Sequence, residues 1–291
     1  MISEFKYYAP KTLKEALSIL HKLGDEYKII CGGQSLLIMM RQGIVQPDNL
    51  VDIKGIKELA YIKYDSKRTL RIGGLTTHRV IEKSAQIKKS HPVLCEMENK
   101  LATVQTRNWG TIAGNLSHAD PAGDPAPVLI SLNATLTLVS SKGERNIKAE
   151  DFFRDYFDAD LQHGELLSEI QVPAMPPLFG AAYTKFTIIE NEMAMTAVAV
   201  SLKLQSKDGP CSDARIVMGA AAPIAKRAKK AEVMLKGKKV TEALLKEAGE
   251  IAAAEAEPLS DIHASEEYRR ELVKVLTKRV GLEALARAKK A

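Results

Sequence analysis

Two short glycine-containing segments in the first half of the chain carry the residue types best suited to binding a phosphorylated ligand. The first, Cys31-Gly32-Gly33-Gln34-Ser35, is predicted to join a strand over residues 28–31 to an apolar helical run over 36–40. Glycine permits positive φ and close approach of a ligand, so successive N–H groups can converge on an anion. The pattern is neither G-x-G-x-x-G nor G-x-x-x-x-G-K, and a tight strand-to-helix turn is the alternative.

The second segment, Thr111-Ile112-Ala113-Gly114-Asn115, is predicted as a loop that follows a helix and Arg107. Its hydroxyl, amide and small residues suit hydrogen bonding to a phosphate or a ribityl chain, and Asp124 nearby can accept hydrogen bonds from sugar-like hydroxyls. A capped turn exposed to solvent is the alternative. A diphosphate needs donors from two sides, so two such segments together favour a pyrophosphate site.

The two segments resemble the A-G-G-[QH]-S and T-I-G-G-N loops of the FAD-binding medium subunits of molybdenum hydroxylases, the family of aerobic carbon monoxide dehydrogenases and bacterial xanthine dehydrogenases. The similarity covers nearly the whole chain. It includes Arg107-Asn108, His118-Ala119-Asp120-Pro121, Tyr183-x-Lys185-Phe186, Gly219 with Ala222-Pro223, and Ser265-x-x-Tyr268-Arg269.

The resemblance implies an α+β chain. A two-subdomain FAD-binding fold of the vanillyl-alcohol-oxidase type is expected over residues 1–175, with subdomains at about 1–57 and 58–175, and a C-terminal domain of sheet plus helices over 178–285. FAD is expected to bind without a covalent link, with backbone amides of both segments on the pyrophosphate and Asp124 at the ribityl or ribose hydroxyls. The expected cofactor-binding residues are Ile30, Cys31, Gly32, Gly33, Gln34, Ser35, Leu36, Thr111, Ile112, Ala113, Gly114, Asn115, Asp124 and Lys185.

The resemblance also implies a redox role within a heterohexamer. The chain is expected to take electrons from [2Fe-2S] clusters of a small partner subunit, which a large molybdopterin-binding subunit supplies, and to pass them to an external acceptor. Molybdopterin and clusters are expected on the partners only. The flavin carries the redox chemistry, so no catalytic acid–base residue and no metal ligand is assigned to this chain. The alternative is an assembly or docking subunit of the same fold with weak or absent FAD binding.

The stretch from Ile188 to Met193 departs from the family pattern and motivates that alternative. Relatives often carry an arginine near its start and Gly-Asp-Tyr before Ala194, where this chain has Asn191, Glu192 and Met193. The missing tyrosine weighs against a carbon monoxide assignment, although the sulfur of Met193 can still pack against an aromatic ring. Cys31 and Ala113 replace a usual alanine and glycine, and Ala113 is harmless if its φ is negative.

The elements that position these segments follow from hydrophobic periodicity and capping residues. A capping box at Thr12 and Glu15 begins a helix that Gly24 ends. Three prolines over 173–177 predict a break between the two halves of the chain. The remaining predicted strands lie at 51–53, 69–72, 133–139, 198–204 and 214–218, and the remaining helices at 77–84, 92–101, 226–235, 241–256 and 266–290.

Composition excludes several classes of protein. The 291 residues are 45% hydrophobic and 27% charged with a net charge of +6, which is typical of a globular chain of about two domains. The basic cluster over 226–239 lacks interleaved aromatics, so no nucleic acid partner is expected. We expect no membrane span and no signal peptide, and three scattered cysteines favour the cytoplasm.

Metal binding and a role for the single tryptophan are the remaining sequence hypotheses. The six histidines form no closely paired ligand set, and cofactor contacts or solvent explain His118, Asp120 and Asp124 as well as a metal does. Cys31 is interpreted as a small filler in a tight loop rather than a nucleophile. Trp109 is predicted to pack beneath the second segment, and contact with the cofactor is the alternative.

Overall fold

The computed structural model describes residues 4–291 and combines helices with four β-sheets. Met1 to Ser3 lie outside the described residues. They are the start of the predicted first domain and of the segment in which we expect no signal peptide. No helix within residues 4–291 is long and apolar enough to cross a membrane.

The N-terminal part is a small parallel sheet flanked by two helices. Its strands pair in the order β1-β3-β2. Thr12 caps α1 as predicted, accepting from Glu15 N at 3.2 Å, but the Glu15 carboxylate accepts from Lys11 N at 2.8 Å rather than completing a capping box with Thr12. Its elements are β1 (Lys6–Tyr8), α1 (Leu13–Leu23), β2 (Lys28–Ile30), α2 (Leu36–Arg41) and β3 (Asn49–Asp52).

A five-stranded antiparallel sheet with a cluster of short helices follows. The strands pair in the order β4-β5-β10-β6-β7, and the helices pack against one face to form the largest apolar core. The strands of this sheet are β4 (Ile62–Tyr64), β5 (Leu70–Gly73), β6 (Thr135–Ser140), β7 (Gly143–Lys148) and β10 (Leu166–Val172). A separate two-stranded sheet is formed by β8 (Phe153–Asp155) and β9 (Asp158–Ala159). The helices are α3 (His78–Lys83), α4 (Ala85–Ser90), α5 (Pro92–Lys100), α6 (Val104–Trp109), α7 (Ile112–His118) and α8 (Pro125–Ser131).

The C-terminal part is an antiparallel sheet followed by helices, which confirms the predicted mixed α+β class. In this part of the chain the sequence prediction omitted β11, and the helix predicted over 226–235 begins only at Lys229, because residues 226–227 form a strand. The elements are β11 (Phe179–Phe186), β12 (Thr196–Leu204), β13 (Cys211–Gly219), β14 (Lys226–Arg227), α9 (Lys229–Leu235), α10 (Glu242–Glu255) and α11 (Glu266–Ala288).

Both faces of the C-terminal sheet are covered. Ala182, Val198 and Val200 belong to the core beneath α9, α10 and α11, whereas the alternate residues Ala181 and Tyr183 belong to the core of the short helices. Side chains alternate between the faces of a strand, so β11 and β12 are apolar on both sides. The sheet is therefore fixed against α5 and α8, which places the end of β11 beside the first half of the chain.

His91 holds the start of the proline-containing segment that follows β10. Its Nε2 lies 2.9 Å from the Pro173 carbonyl oxygen and its Nδ1 2.9 Å from Ser90 Oγ, and the residue is 1% exposed. Burial lowers the pKa of His91 below 6.5, the unperturbed value, despite the hydrogen bond to Pro173. The unfolded chain then binds a proton more readily than the folded chain, so this residue's contribution to stability is lost as the pH falls below 6.5.

We therefore expect the free energy of unfolding to fall more between about pH 7.5 and pH 5.5 in the wild-type chain than in His91→Asn. The difference is at most about 1.4 kcal/mol per pH unit for one titrating group. Urea denaturation of both chains at the two pH values measures it. Equal pH dependence in the two chains would mean that His91 is not held neutral.

Candidate FAD-binding cleft

The two glycine segments lie in direct contact. A Cβ at Gly32 would lie 2.4 Å from the carbonyl oxygen of Trp109 and 2.6 Å from Cα of Gly110. Beside this contact, Sγ of Cys31 lies 3.1 Å from Oγ1 of Thr111. Only glycine permits so close an approach, so the first segment rests directly on the turn that precedes the second.

The first segment forms the turn from β2 into α2 and offers free backbone donors. Gly33 has a φ of +70°, as its residue type predicts, and Nε2 of Gln34 donates to the Gly32 carbonyl oxygen at 3.0 Å. Within residues 4–291, the Gly32 N–H donates to the Cys31 thiol, and no group accepts a hydrogen bond from the N–H groups of residues 33–36. These N–H groups are the ones that an anion at this turn would bind.

The second segment is not the loop predicted from its glycine and asparagine, because Thr111 caps α7 and the helix begins at Ile112. Its N–H groups already donate within the protein: Ile112 to Thr76 O at 3.1 Å, Ala113 to Gly74 O at 3.2 Å, Gly114 to Thr111 Oγ1 at 3.2 Å and Asn115 to Thr111 O at 3.0 Å. These N–H groups thus already have acceptors in the protein, and the prediction that backbone amides of this segment hold the pyrophosphate stays a prediction.

A cleft of about 520 Å³ opens where the two segments meet. Every predicted cofactor-binding residue lines it except Ile112, whose side chain is fully buried in the core of the short helices. Ala113 is helical with a negative φ, so alanine is compatible with the backbone at this position. The second segment thus lines the cleft with Thr111, Ala113, Gly114 and Asn115.

Cys31 packs the two segments together, which agrees with its interpretation as a small filler. Its Sγ would lie 2.7 Å from a Cβ at Gly114, so a larger side chain at either position would push the segments apart. Burial raises the pKa of the Cys31 thiol, and the hydrogen bond with Thr111 opposes that rise. A buried thiol with a raised pKa is unsuited to act as a nucleophile.

Asp124 is buried at the cleft and is held by two side chains of β11. The Tyr183 hydroxyl donates to Oδ1, and Nζ of Lys185 donates to Oδ2 at 2.8 Å. Tyr183 and Lys185 are two residues apart, so they share one face of the strand. Burial raises the pKa of Asp124, which the ammonium of Lys185 opposes. The predicted contact of Asp124 with ribityl or ribose hydroxyls stays a prediction, since both of its oxygens already have protein partners.

His78 and Glu98 form a second buried polar pair under the turn before α7. Nδ1 of His78 lies 2.8 Å from Oε2 of Glu98, and His78 N donates to the Gly110 carbonyl oxygen at 3.0 Å. Burial raises the pKa of Glu98, which the charge of His78 opposes. Through the hydrogen bond to Gly110, His78 supports the turn on which Gly32 rests, and His78 also lines the cleft.

Arg107 of the family motif has a structural role. Its Nη1 donates to the carbonyl oxygens of Leu101 at 2.7 Å and Ala102 at 2.6 Å, and its Nε donates to Glu82 at 2.9 Å. Leu101 and Ala102 line the cleft, so Arg107 shapes its wall from behind. Trp109 does not pack beneath the second segment as predicted: its side chain is 61% exposed, because the contact with Gly32 uses its backbone.

Sequence reasoning missed several aromatic and apolar residues of the cleft. The rings of His118 and Phe157 lie 5.2 Å apart at its edge, and Phe157 N donates to Ala119 O at 3.1 Å. No local pattern marked Phe157, which lies in a turn 39 positions after His118. Met193 also lines the cleft, and its predicted packing against an aromatic ring stays a prediction. No group of His, Cys, Asp or Glu within residues 4–291 is arranged to hold a metal ion.

Comparison with known proteins agrees with this geometry. Residues 3–175 match the family described as the FAD binding domain in molybdopterin dehydrogenase, and residues 181–284 match the CO dehydrogenase flavoprotein C-terminal domain. The chain therefore belongs to the FAD-binding subunits of the molybdenum hydroxylase family. It is an FAD-dependent oxidoreductase subunit, which confirms the resemblance found in the sequence.

Relatives and solved structures match along almost the whole chain. The glyceraldehyde dehydrogenase medium chain of Sulfolobus acidocaldarius is 35% identical over 94% of this chain and 96% of its own length. The carbon monoxide dehydrogenase medium chain of Hydrogenophaga pseudoflava is 32% identical over 97% and 98%. A structure of carbon monoxide dehydrogenase from that organism superposes with a TM-score of 0.95 at 33% identity over 99% of each chain. Quinoline 2-oxidoreductase from Pseudomonas putida 86 gives 0.92 at 33% identity over 99% of each chain.

The residues of the cleft fit FAD. The free N–H groups over residues 33–36 suit a diphosphate, and Gly32 leaves no room for a Cβ at the point where the segments touch. When FAD is bound it supplies the electron-transfer chemistry. The chain's own residues bind it, orient it and set the charge around it.

We expect Gly32→Ala to lose FAD. Its Cβ would lie 2.4 Å from a backbone oxygen, so the two segments must separate. Gly55→Ala is the matched control, because its Cβ would come closest to the flexible side chain of Lys11, with Nζ at 3.2 Å, and would lie at an ordinary contact distance of 3.5 Å from the Pro10 carbonyl oxygen. The flavin absorbance of each purified protein, relative to its protein content, measures the effect. Full flavin content in Gly32→Ala would contradict the role assigned to this contact.

We expect Lys185→Met to destabilise the fold by about 3–5 kcal/mol, because it leaves the buried Asp124 without its counter-charge. The double variant Asp124→Asn/Lys185→Met removes both charges and should recover a large part of that loss. Urea denaturation of the two variants and the wild type measures this. A double variant less stable than Lys185→Met alone would contradict the assignment of a buried ion pair.

Proposed function

We propose that the first glycine segment holds the diphosphate of FAD through the N–H groups of residues 33–36. The observation that carries this proposal is that these N–H groups make no hydrogen bond within residues 4–291 while their segment lines the cleft. From the second segment, the side chains of Thr111 and Asn115 are placed to add contacts at the opposite wall. Asp124 then acts mainly by fixing Lys185.

We further propose that Lys185 tunes the bound flavin. Its side chain is 5% exposed, lines the cleft and is oriented by Asp124 at 2.8 Å. A fixed ammonium beside a bound ligand favours the state of that ligand that carries more negative charge. The ammonium of Lys185 therefore favours the reduced over the oxidised cofactor. This effect of Lys185 requires no proton transfer by the chain.

The partners proposed for this chain are those of its family. We propose that a small subunit carrying [2Fe-2S] clusters delivers electrons, that a large molybdopterin-binding subunit oxidises the substrate, and that an external acceptor receives the electrons, within a heterohexamer. This is supported by near-complete coverage of medium chains of carbon monoxide and glyceraldehyde dehydrogenases. We also propose a cytoplasmic location, which the free thiols of Cys31, Cys95 and Cys211 favour. The domain division at 175–178 stays a prediction.

We expect the complex purified with its partner subunits to contain both iron–sulfur and flavin absorbance, and the flavin to be released on denaturation because no covalent link holds it. Anaerobic addition of the oxidisable substrate should bleach both chromophores. In a complex that carries Gly32→Ala, the iron–sulfur bands should bleach without any flavin signal. A wild-type complex that assembles and turns over without flavin would instead support the alternative, a docking subunit.

A further inference from the structure

His78 brings an unused hydrogen-bonding atom to the cleft. It is the first residue of α3, it is 2% exposed, and it lines the cleft. Its Nδ1 lies 2.8 Å from Oε2 of Glu98, whereas its Nε2 makes no hydrogen bond within residues 4–291. Unlike Oε1 of Glu98, Nε2 is not fully sealed from solvent, so this side of the ring faces the cleft.

The imidazole of His78 lies beside the first glycine segment. A Cβ at Gly110 would lie 3.1 Å from Cδ2 of His78 and 3.6 Å from Cγ of Gln34, so the ring and the segment flank the same point. Cδ2 is bonded to Nε2, which places the unused nitrogen on this edge of the ring. A group held by the free N–H groups of residues 33–36 is therefore the part of the cofactor that Nε2 can reach.

Burial decides how many protons His78 and Glu98 share. Glu98 is 0% exposed, and its second oxygen, Oε1, has no partner within residues 4–291. Burial raises the pKa of Glu98 and the charge of Asp124 adds to the rise, while the charges of His78 and of Arg107 on α6 oppose it. An unbalanced negative charge is costly in such surroundings, so the pair retains one proton between Oε2 and Nδ1.

Both positions of that proton leave a hydrogen on Nε2. If the proton lies on Nδ1, His78 is an imidazolium and both of its ring nitrogens carry a hydrogen. If the proton lies on Glu98, the carboxyl O–H donates to Nδ1 and the neutral ring carries its hydrogen on Nε2. Nε2 is thus a donor in either case, and an N–H at this point suits the anionic oxygens of a diphosphate.

We propose that His78, oriented by Glu98, donates a hydrogen bond from Nε2 to a diphosphate oxygen of FAD. The inference rests on the proposed function, in which the N–H groups of residues 33–36 hold the same diphosphate. The N–H groups of residues 112–115 already have acceptors in the protein. The donor on the second side of the diphosphate therefore comes from a side chain of α3.

Two isosteric substitutions separate this role from support of the turn before α7. In His78→Asn the amide nitrogen takes the place of Nδ1, so the contact with Glu98 is kept and the donor to the cleft is lost. In His78→Gln the amide nitrogen takes the place of Nε2, so the donor is kept and the contact with Glu98 is lost. Both variants keep the backbone N–H that donates to Gly110 O. His91→Asn is the matched control, because it removes a histidine that is 1% exposed and does not line the cleft.

Each variant is purified as the complex with its partner subunits, and the iron–sulfur absorbance shows that the complex has assembled. The readouts, after removal of FAD, are the dissociation constants of FAD and of ADP-ribose, which carries the diphosphate without the flavin ring. We expect His78→Asn to raise both constants about tenfold or more, equivalent to about 1.4 kcal/mol. We expect His78→Gln to stay within about threefold of the wild type and His91→Asn to equal it.

The proposal is overturned if His78→Asn binds FAD as the wild type does, or if FAD binding weakens while ADP-ribose binding does not. It is also overturned if His78→Gln loses as much affinity as His78→Asn, since His78 would then act only by supporting the turn. Should His78→Asn not assemble, the result for His78→Gln decides by itself. A wild-type complex that does not bind FAD would refute the FAD assignment instead, so the two failures are distinguishable.

Discussion

The backbone contact between Gly32 and the Trp109–Gly110 turn is the constraint on which the cleft depends. It brings two segments that are about 80 positions apart into one wall, and Cys31 against Thr111 fills the space beside it. With the segments so close, the first can leave its N–H groups free for a ligand while the second uses its own to form α7. The cleft thus has a donor-rich side and a rigid helical side rather than two equivalent loops.

Charge at the cleft is set across the two halves of the chain. Asp124 precedes α8 in the first half, and its partners Tyr183 and Lys185 come from β11 in the second. The ion pair is buried on both sides, so its geometry depends on the packing of the C-terminal sheet against α5 and α8. A change in how the C-terminal part packs against the first half would therefore also change the charge beside the cofactor.

Much of this arrangement was predictable from sequence, because glycine and capping residues have strong local preferences. The positive φ at Gly33, the cap at Thr12 and the lining role of residues 30–36 follow from residue type alone. The start of α7 was not predictable, because Gly114 and Asn115 disfavour helix and only the Thr111 cap and tertiary contacts override them. Phe157 reaches the cleft through long-range packing, for which a single sequence carries no periodic pattern.

The alternation along β11 limits how this subunit can be recombined with its relatives. Odd-numbered residues from Ala181 face the short helices and even-numbered ones face α11, so the strand is matched to two different neighbours at once. A chimera with another C-terminal part must have a tyrosine and a lysine at the positions of Tyr183 and Lys185. Without them, the buried carboxylate of Asp124 would have no hydrogen-bond donor and no counter-charge. The chain could be joined at the loop after β10, but side-chain contacts across this junction restrict which C-terminal parts are compatible with the first half.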